Sequence, residues 1–424
     1  SCSDGGKVMA RAKKEAALTP EERLQAALVP DWEWPYKLPE NWCWTYFKSI
    51  STIQTGKKDA NYGSDEGKYP FFTCAAEPIR CHGYSFDCRA ILLAGNGDIN
   101  NISRYNGKFE AYQRTYVVKI AEPLCFDYIF YWFKYRWFDF NKGKMFGTAI
   151  PYIRLGNLQE FPTPIPPLAE QQRIVDRIES LFAKLDEAKE KAQAVVDSFE
   201  TRKAAILHKA FTGELTAKWR EEHDVGMESW EYIPFETIIE KMQNGLAKRK
   251  GISGTPYVVL RLANLTDCGF NTDDLREILL DEKEQANYEL RPNDVIMIRV
   301  NGSKDNVGKQ YLITNQHHWA FCDHIIRIRY SSSLLPQYMV YFSKSKNYRI
   351  YVKENIVSSA GQNTISRKGM ANLHVPLPRM NEQSEIVRIL DMAFAEEQQA
   401  KEAAEAVLDQ IDLMKKSILA RAFR

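Results

Sequence analysis

Two long stretches of the chain place apolar or small residues at alternating steps of three and four positions. The first has neither glycine nor proline from Leu168 to Thr212, and Gly213 follows as a helix terminator. Such spacing over several heptads predicts left-handed coiled-coil helices, broken once in each stretch, at Arg202 and at Glu397. The predicted seam comprises Ile174, Ile178, Leu181, Leu185, Val195 and Phe199 in the first helix, and Ile386, Leu390, Val407, Ile411 and Ile418 in the second.

The two helical stretches are copies of each other. Residues 164–211 recur as 376–423 without a gap, with 20 identities in 48 positions. An upstream pair, 42–56 and 230–245, matches more weakly, so the chain is an internal duplication in the order globule, helix, globule, helix. Only 18 residues separate Phe211 from Trp230, which favours antiparallel pairing of the helices. The alternative is that each helix packs alone on its own globule.

The globular regions are predicted to be mixed α/β. Short β-branched runs at 114–120, 256–262, 294–300 and 324–330 indicate strands, whereas the consecutive aromatics of 127–134 and 337–344 favour short helices. The predicted fold class is therefore α+β, with two globular domains separated by two long antiparallel coiled-coil helices and related by a pseudo-two-fold repeat. The predicted boundaries are 1–37 (N-terminal tail or helix), 38–167, 168–224 (helix 1 and linker), 225–378 and 379–424 (helix 2).

Charge is informative by region rather than by chain. The 57 basic and 55 acidic residues give +2 overall, which by itself discourages a nucleic-acid partner. However, regions 38–167 and 225–378 each carry +3, and the two helical regions each carry −2. No apolar run approaches the ~18 residues of a membrane span, and the N-terminus lacks the apolar core of a signal peptide. The eight cysteines form no C-x-x-C pair, which suits thiols in a reducing cytoplasm.

Basic clusters recur at matching places in the two globular regions. Lys57 and Lys58 follow a Gln-Thr-Gly turn, and Lys248-Arg249-Lys250 follow Gln-Asn-Gly. Such loops are typical of surfaces that bind phosphates and read base edges, although any one of them could be an ordinary solvated loop. The candidate DNA-binding residues are Gln54, Lys57, Lys58, Asn96 and Arg104 in the first region, and Asn244, Lys248, Arg249, Arg299, Asn301, Lys304, Gln362 and Asn363 in the second.

Sequence motifs for chemistry are weak. Gly95-x-Gly97 ends a predicted strand, but the residues that follow are poor helix formers, which favours a tight turn over a cofactor loop. Cys81-His82 and Cys322-x-His324 offer too few ligands for a metal site and are predicted to be core residues. We expect no catalytic residues, no metal and no cofactor in this chain.

The chain resembles the specificity (S) subunits of type I restriction–modification systems over residues 36–424. The resemblance is carried by LPENWCW…IQTGK, by YVVLRLANL…YELRPNDVIMIRVNG, and by Pro164-Ile165-Pro166 with Glu170-Gln171, repeated at Pro376 and Glu382-Gln383. It implies that the globular regions are target-recognition domains, each of which reads one half of a bipartite, asymmetric double-stranded DNA site. It further implies that the helices serve as ruler and docking surface for two methyltransferase subunits, with restriction (translocase) subunits joining them.

The resemblance also assigns S-adenosylmethionine, ATP and Mg to the partner subunits, and a cytoplasmic location with no membrane contact to this chain. Repeat 2 stops one residue after Phe423, so we expect a trimmed C-terminus, and Ser1-Cys2 is not an initiator methionine. The competing function class is a coiled-coil adaptor with two protein-binding lobes and no sequence-specific DNA recognition. A third class is a self-sufficient methyltransferase or nuclease.

Overall fold

The computed structural model describes residues 20–251, 253–267 and 269–423. The chain divides into two compact units: unit 1 comprises residues 1–191 and 407–424, and unit 2 comprises residues 192–406. Each unit therefore contains part of both long helices, whereas the boundaries predicted from the sequence keep each helix whole.

Unit 1 is built around a six-stranded sheet of strand order β2-β7-β5-β6-β3-β4, with a separate β1–β8 ribbon. Its strands are β1 (Cys43–Tyr46), β2 (Ser51–Thr55), β3 (Tyr69–Phe72), β4 (Ile79–Cys81), β5 (Phe86–Ala94), β6 (Ile102–Ala111), β7 (Thr115–Ile120) and β8 (Pro162–Ile165). Its helices are α1 (Pro20–Ala27), α2 (Phe126–Asn141), α3 (Leu155–Gln159) and the first part of α4 (Leu168–Thr212).

Unit 2 has a four-stranded sheet of order β10-β19-β15-β17, three-stranded sheets β14-β11-β18 and β16-β21-β20, and two ribbons. Its helices are α5 (Ala217–Glu222), α6 (Glu282–Tyr288), α7 (Pro336–Phe342), α8 (Lys346–Glu354), α9 (Arg367–Met370) and most of α10 (Met380–Ala422). Its strands are β9 (Glu231–Pro234), β10 (Ile239–Asn244), β11 (Thr255–Leu260), β12 (Leu265–Thr266), β13 (Gly269–Phe270), β14 (Glu277–Leu280), β15 (Val295–Ile298), β16 (Val300–Asn301), β17 (Gln310–Leu312), β18 (Trp319–Phe321), β19 (Ile325–Tyr330), β20 (Val357–Ser359), β21 (Gln362–Thr364) and β22 (His374–Leu377).

The duplication is visible in the sheets. The order β2-β7-β5-β6 in unit 1 matches β10-β19-β15-β17 in unit 2, and a two-stranded ribbon leads into each long helix, β1–β8 into α4 and β9–β22 into α10. The strands predicted at 114–120, 256–262, 294–300 and 324–330 are present, and so are the two aromatic helices, α2 and α7. The mixed fold and the internal repeat are thus confirmed.

The long helices pair antiparallel within each unit. In unit 1 the Lys415 Nζ lies 2.6 Å from the Asp186 carboxylate. In unit 2 the Arg202 Nε lies 2.7 Å from the Glu397 carboxylate. The two positions that break the heptad pattern therefore face each other as an ion pair. Gly213 ends α4 with a φ of +85°, the left-handed conformation that a glycine terminator adopts.

The prediction that Val407 lies in the seam between the two long helices is wrong. Val407 is 41% exposed, whereas Ile411 is 2% exposed and Leu408 turns inward. Farther along α10, the Lys415 ammonium also lies at the helix interface, 5.2 Å from the centre of the Phe182 ring, and pairs with Asp186. The inward positions from Ala404 onward are 404, 408, 411, 415 and 418, which still step by four and three, so Leu408 takes the place predicted for Val407. The other predicted seam residues are buried or half-buried: Ile174, Ile178, Leu181, Leu185, Val195, Phe199, Ile386, Leu390, Ile411 and Ile418.

The repeated Glu-Gln motif attaches each long helix to its domain. The Gln171 side chain accepts a hydrogen bond from the backbone N–H of Cys125, the residue that precedes α2, at 2.9 Å. Gln383 accepts the equivalent bond from Leu335, the residue that precedes α7, at 2.8 Å. Both glutamines are buried, so their amides satisfy helix-end groups that would otherwise lack partners.

Aromatic contacts complete the attachment in the same way in both units. Tyr131 of α2 packs edge-on against Phe182 of α4 with ring centres 5.8 Å apart. Tyr341 of α7 packs against Phe394 of α10 at 5.5 Å. The aromatic side chains of α2 and α7 thus pack each domain against its pair of long helices.

Candidate nucleic-acid interface

The candidate residues cluster where two strands end and the strand between them begins. In unit 1, β2 and β5 end beside the start of β7, and Gly95 donates to the carbonyl of Arg114 at 2.8 Å. In unit 2, β10 and β15 end beside the start of β19, and Arg299 donates to the carbonyl of His324 at 2.8 Å. We call these regions the strand-end surfaces of unit 1 and unit 2.

A glycine is required at the point where each basic loop leaves its sheet. A Cβ on Gly56 would lie 1.8 Å from the carbonyl oxygen of Ala111, and one on Gly245 would lie 2.1 Å from that of Cys322. After each glycine the chain forms a short parallel bridge, Lys58 with Tyr112 and Leu246 with Cys322. The two basic loops therefore occupy equivalent positions in the two units.

Four of the five predicted residues of unit 1 meet at its strand-end surface. Gln54 and Lys57 are exposed at and just after the end of β2. The Lys58 ammonium lies 4.4 Å from the centre of the Tyr62 ring. Asn96 follows β5 and forms a bridge with Tyr152. Amides and amines thus share one surface.

The same surface contains residues that the sequence did not single out. Gln113, Arg114 and Arg154 line a cavity of about 490 Å³ that Thr55 and Gly95 also line. The Arg154 guanidinium lies 3.9 Å from the centre of the Phe146 ring, a cation–π contact. In the sequence, the only indication of this group of residues was Arg114, a basic residue at the start of the predicted strand 114–120.

Arg104, the fifth predicted residue of unit 1, does not lie at the strand-end surface. Its guanidinium pairs with Asp127 of α2 and lies 3.4 Å from Glu179 of α4. Although partial burial alone would lower the pKa of Arg104, the carboxylate of Asp127 raises it. The Arg104 guanidinium also lies 4.8 Å from the centre of the Phe130 ring. These contacts fix β6 to α2 and α4. We leave it out of the interface.

The basic loop of unit 2 is tied down by ion pairs. The Lys248 Nζ is 2.7 Å from Glu284, and the Arg249 guanidinium is 3.0 Å from Asp323. Burial by itself would raise the pKa of Asp323, but Arg249 and His324 lower it overall, so the carboxylate is ionised. Each cation keeps unused N–H donors, because an arginine has five and a lysine three.

A basic cavity of about 260 Å³ adjoins this loop. Arg261 and Arg276 line it together with Lys248, Arg249 and His324. Arg276 donates to the carbonyl of Arg249 at 2.6 Å, which links the cavity wall to the loop. The sequence analysis did not identify Arg261 or Arg276 because β11 and β14 bring them together from separate segments.

Three further predicted residues lie along β15, β16 and the loop that follows. Arg299 is half-buried and donates to the backbone carbonyl of Asp323 at 3.3 Å. The Asn301 side chain accepts from the backbone of Ser303 at 2.8 Å, which shapes the turn. Lys304 is exposed at the tip of this turn.

The remaining pair lies on a hairpin formed by β20 and β21. Gln362 is exposed, whereas Asn363 is 8% exposed. The Asn363 amide donates to the carbonyl of Gly302 at 2.7 Å and accepts from Ser358 at 2.7 Å. Its polar atoms hold the hairpin on β16, so Asn363 does not fit a base-reading role. Asn244, at the end of β10, is exposed.

The glycine and cysteine motifs that could suggest a cofactor or metal site have structural roles instead. β5 leads through a turn into β6 rather than into a helix, and Gly97 has a φ of +73° in that turn. The Cys81 thiol is buried and donates to the carbonyl of Gly83 at 3.1 Å. Cys322, Asp323 and His324 lie close together, but Asp323 is neutralised by Arg249. In the part of the chain that the structure describes, no helix is both long and apolar enough to cross a membrane.

The family model for the type I restriction modification DNA specificity domain matches twice, at residues 39–196 and 235–406. The chain belongs to this family. The two matches fall on the two halves of the duplication, each with one repeat's sheet and the first part of the long helix that follows it.

Similar proteins agree with this membership, and a solved structure shares the fold. The chain is 34% identical over 281 residues to the type I restriction enzyme StySPI specificity subunit of Salmonella potsdam, covering 66% of this chain and 60% of the relative. It is 30% identical over 283 residues to the EcoKI specificity subunit of Escherichia coli (strain K12), with the same coverages. It thus spans about 60% of the length of these relatives. The HsdS subunit of Thermoanaerobacter tengcongensis shares the fold, with a TM-score of 0.60, 19% identity, and coverage of 92% of this chain and 98% of that one.

Proposed function

We propose that this chain is the DNA-recognition subunit of a type I restriction–modification complex. In this proposal each unit carries one target-recognition domain, and each domain reads one half of a bipartite, asymmetric site on double-stranded DNA. Membership of the specificity-domain family and the twofold match to its model support the proposal.

The repeated basic loop is the observation that carries the proposal. Lys57 and Lys58 follow Gly56, and Lys248 and Arg249 follow Gly245, at equivalent sheet ends. A protein that reads a two-part DNA site needs two equivalent surfaces that grip phosphates. An adaptor with protein-binding lobes has no such requirement.

The side chains suggest a division of labour within each surface. We assign base reading to exposed or half-buried amides, because an amide can both donate to and accept from a base edge. We assign phosphate binding to the cations, which act without regard to sequence. The amides are Gln54, Asn96, Asn244 and Gln362, and the cations are Lys57, Lys58, Arg114, Arg154, Lys248, Arg249, Arg261, Arg276, Arg299 and Lys304.

Ion pairing at the surface of unit 2 is compatible with DNA binding. The Arg249 side chain is 54% exposed although it is paired with Asp323, and the Lys248 side chain is 30% exposed. The acidic partners hold the cations in place before DNA arrives, which lowers the ordering cost of binding. The net gain per phosphate contact is correspondingly smaller than for a free lysine.

Catalysis belongs to partner subunits in this proposal. Two methyltransferase subunits would supply the S-adenosylmethionine chemistry, and restriction subunits would supply ATP- and Mg-dependent translocation and cleavage. This chain would select the site and hold the methyltransferase subunits, without a catalytic residue of its own.

The test is binding-site selection from random duplexes by the chain purified with its methyltransferase partners. Gln54→Ala should relax the preference in one half-site and leave the other half-site intact. Lys57→Ala with Lys58→Ala should weaken binding to all sequences and reduce the slope of affinity against salt by about one per lost phosphate contact.

Lys119→Ala is the matched control, because Lys119 is exposed on β7 four residues away from the strand-end surface. It should change neither the recovered motif nor the salt slope. Recovery of an unaltered motif and affinity with both the Gln54 and the lysine variants would argue against this surface.

A further inference from the structure

In unit 1 a charged cluster fills the space between β6, α2 and α4. The Arg104 guanidinium pairs with Asp127 of α2 and lies 3.4 Å from Glu179 of α4. The Phe130 ring of α2 lies against the same guanidinium, with its centre 4.8 Å away. One cation, two carboxylates and an aromatic ring thus occupy this place in unit 1.

The equivalent place in unit 2 contains different side chains. The counterparts of Arg104, Asp127 and Phe130 are Leu312, Gln337 and Val340. Strand pairing gives the first match, because β17 lies beside β15 as β6 lies beside β5, and the offset of 210 residues between α2 and α7 gives the other two. The carboxylate of the long helix persists as Asp391, which accepts a hydrogen bond from the Tyr341 hydroxyl.

A cavity of about 720 Å³ lies at this place in unit 2. Leu312, Gln337 and Val340 line it, together with Tyr311 of β17 and part of α4. Small-molecule sites commonly have such a volume, with apolar walls and a few polar groups. We call it the Lys344 cavity, after a lysine in its wall.

Positive charge exceeds negative charge in the lining of the Lys344 cavity. The cations are Lys203, Lys309, Lys344 and Arg349, and the carboxylates are Glu200 and Asp267. Lys309 pairs with Asp267 at 2.5 Å. Lys203 is half-buried and Lys344 is exposed, and neither forms an ion pair among the residues that the structure describes. Two ammonium groups are therefore available to a ligand.

The comparison with unit 1 identifies the counter-charge that Lys203 lacks. Its counterpart Lys415 pairs with Asp186 at 2.6 Å, but the counterpart of Asp186 is the uncharged Gln398. Partial desolvation and the positive charge of Lys203 lower the pKa of Lys344. An anion bound beside the two ammonium groups would supply the missing negative charge.

We propose that the Lys344 cavity binds a small phosphate monoester that carries a planar ring, such as a nucleoside monophosphate. The phosphate oxygens accept hydrogen bonds from the ammonium groups of Lys203 and Lys344. The ring packs on the wall formed by Phe270 and Tyr311, whose ring centres are 6.0 Å apart. This ligand is additional to the DNA of the proposed function, because a concave cavity suits a small molecule better than the convex backbone of a duplex.

The test is isothermal titration calorimetry of the full chain with each of the common ribonucleoside monophosphates, and with the corresponding nucleosides as uncharged controls. One or more of the monophosphates should bind at least tenfold more tightly than its nucleoside, because the phosphate pairs with both ammonium groups. Lys203→Gln with Lys344→Gln should weaken that binding at least tenfold and leave the binding of the nucleoside unchanged.

A second variant fills the cavity. Leu312→Arg with Gln337→Asp introduces the arginine and the carboxylate that occupy the equivalent place of unit 1, and it should abolish nucleotide binding. Lys134→Gln is the matched control, because Lys134 is the counterpart of Lys344 in unit 1, where Arg104 fills the place. It should leave the affinity unchanged. Circular-dichroism melting of each variant shows whether it is folded.

The absence of saturable binding, equal affinity for every monophosphate and its nucleoside, or no effect of the double lysine change would overturn the proposal. Undiminished binding by the folded filled variant would place the ligand outside the cavity and would overturn it as well. Displacement of the nucleotide by a DNA duplex would assign the two lysines to the DNA backbone, which also contradicts a small-molecule site.

Discussion

The buried ion pair between Arg220 and Glu382 gives the sharpest test of the packing described for unit 2. The two side chains are 8% and 1% exposed, and their charged atoms are 2.6 Å apart. Arg220→Met removes the positive charge and leaves a buried carboxylate with only Thr216 and Trp230 as donors. Removing one partner of a buried pair costs about 3–5 kcal/mol, because the remaining charge is uncompensated.

For a unit of this size, each kcal/mol lowers the melting temperature by roughly 2–4 °C, so unit 2 should melt roughly 6–20 °C lower. Differential scanning calorimetry measures this shift. Arg173→Met is the matched control, because Arg173 pairs with the equivalent Glu170 but is 77% exposed. It should cost less than about 1 kcal/mol. Adding Glu382→Gln to Arg220→Met should recover much of the loss, and equal shifts for the two methionine variants would refute the reasoning.

Three further predictions concern stability. Arg202→Leu alone should destabilise unit 2 by about 1–3 kcal/mol in urea unfolding, since Glu397, 19% exposed in the pair, loses its partner, whereas Arg202→Leu with Glu397→Leu should be near neutral. Gly245→Ala should cost about 1–3 kcal/mol or more by the same assay because its Cβ would meet the Cys322 carbonyl, while Gly302→Ala, with open space around its Cβ, should be silent. Phe423→Ala should cost unit 1 about 3–5 kcal/mol in calorimetry, because this ring is 1% exposed against Tyr128 and Trp132; a loss below about 1 kcal/mol would contradict the packing.

The helical framework was predictable because its signals are local. The absence of glycine and proline from Leu168 to Thr212 and the glycine that follows give the bounds of α4 directly. The seam breaks at Arg202 and Glu397 are visible in the sequence, but their pairing depends on the antiparallel register. The exposure of Val407 could not be predicted, since position 407 and position 408 both fit steps of three and four between Ala404 and Ile411.

The candidate interface was predictable only in part. The two basic loops could be found because each follows a repeated turn with an obligatory glycine. Arg114 and Arg154 were missed because strand pairing brings them beside Gly95 from distant parts of the chain. Arg104 and Asn363 were included because their residue types suit DNA, but their hydrogen-bond partners are known only from the structure.

The central claim is that this chain determines which DNA sequence its complex modifies. A map of methylated adenines in the host genome, with and without this gene, tests that claim most directly. We expect a split motif, two specified parts separated by an unread spacer of one length, that disappears when the gene is deleted. Unchanged methylation after deletion, in a strain where the methyltransferase is otherwise active, would contradict the account.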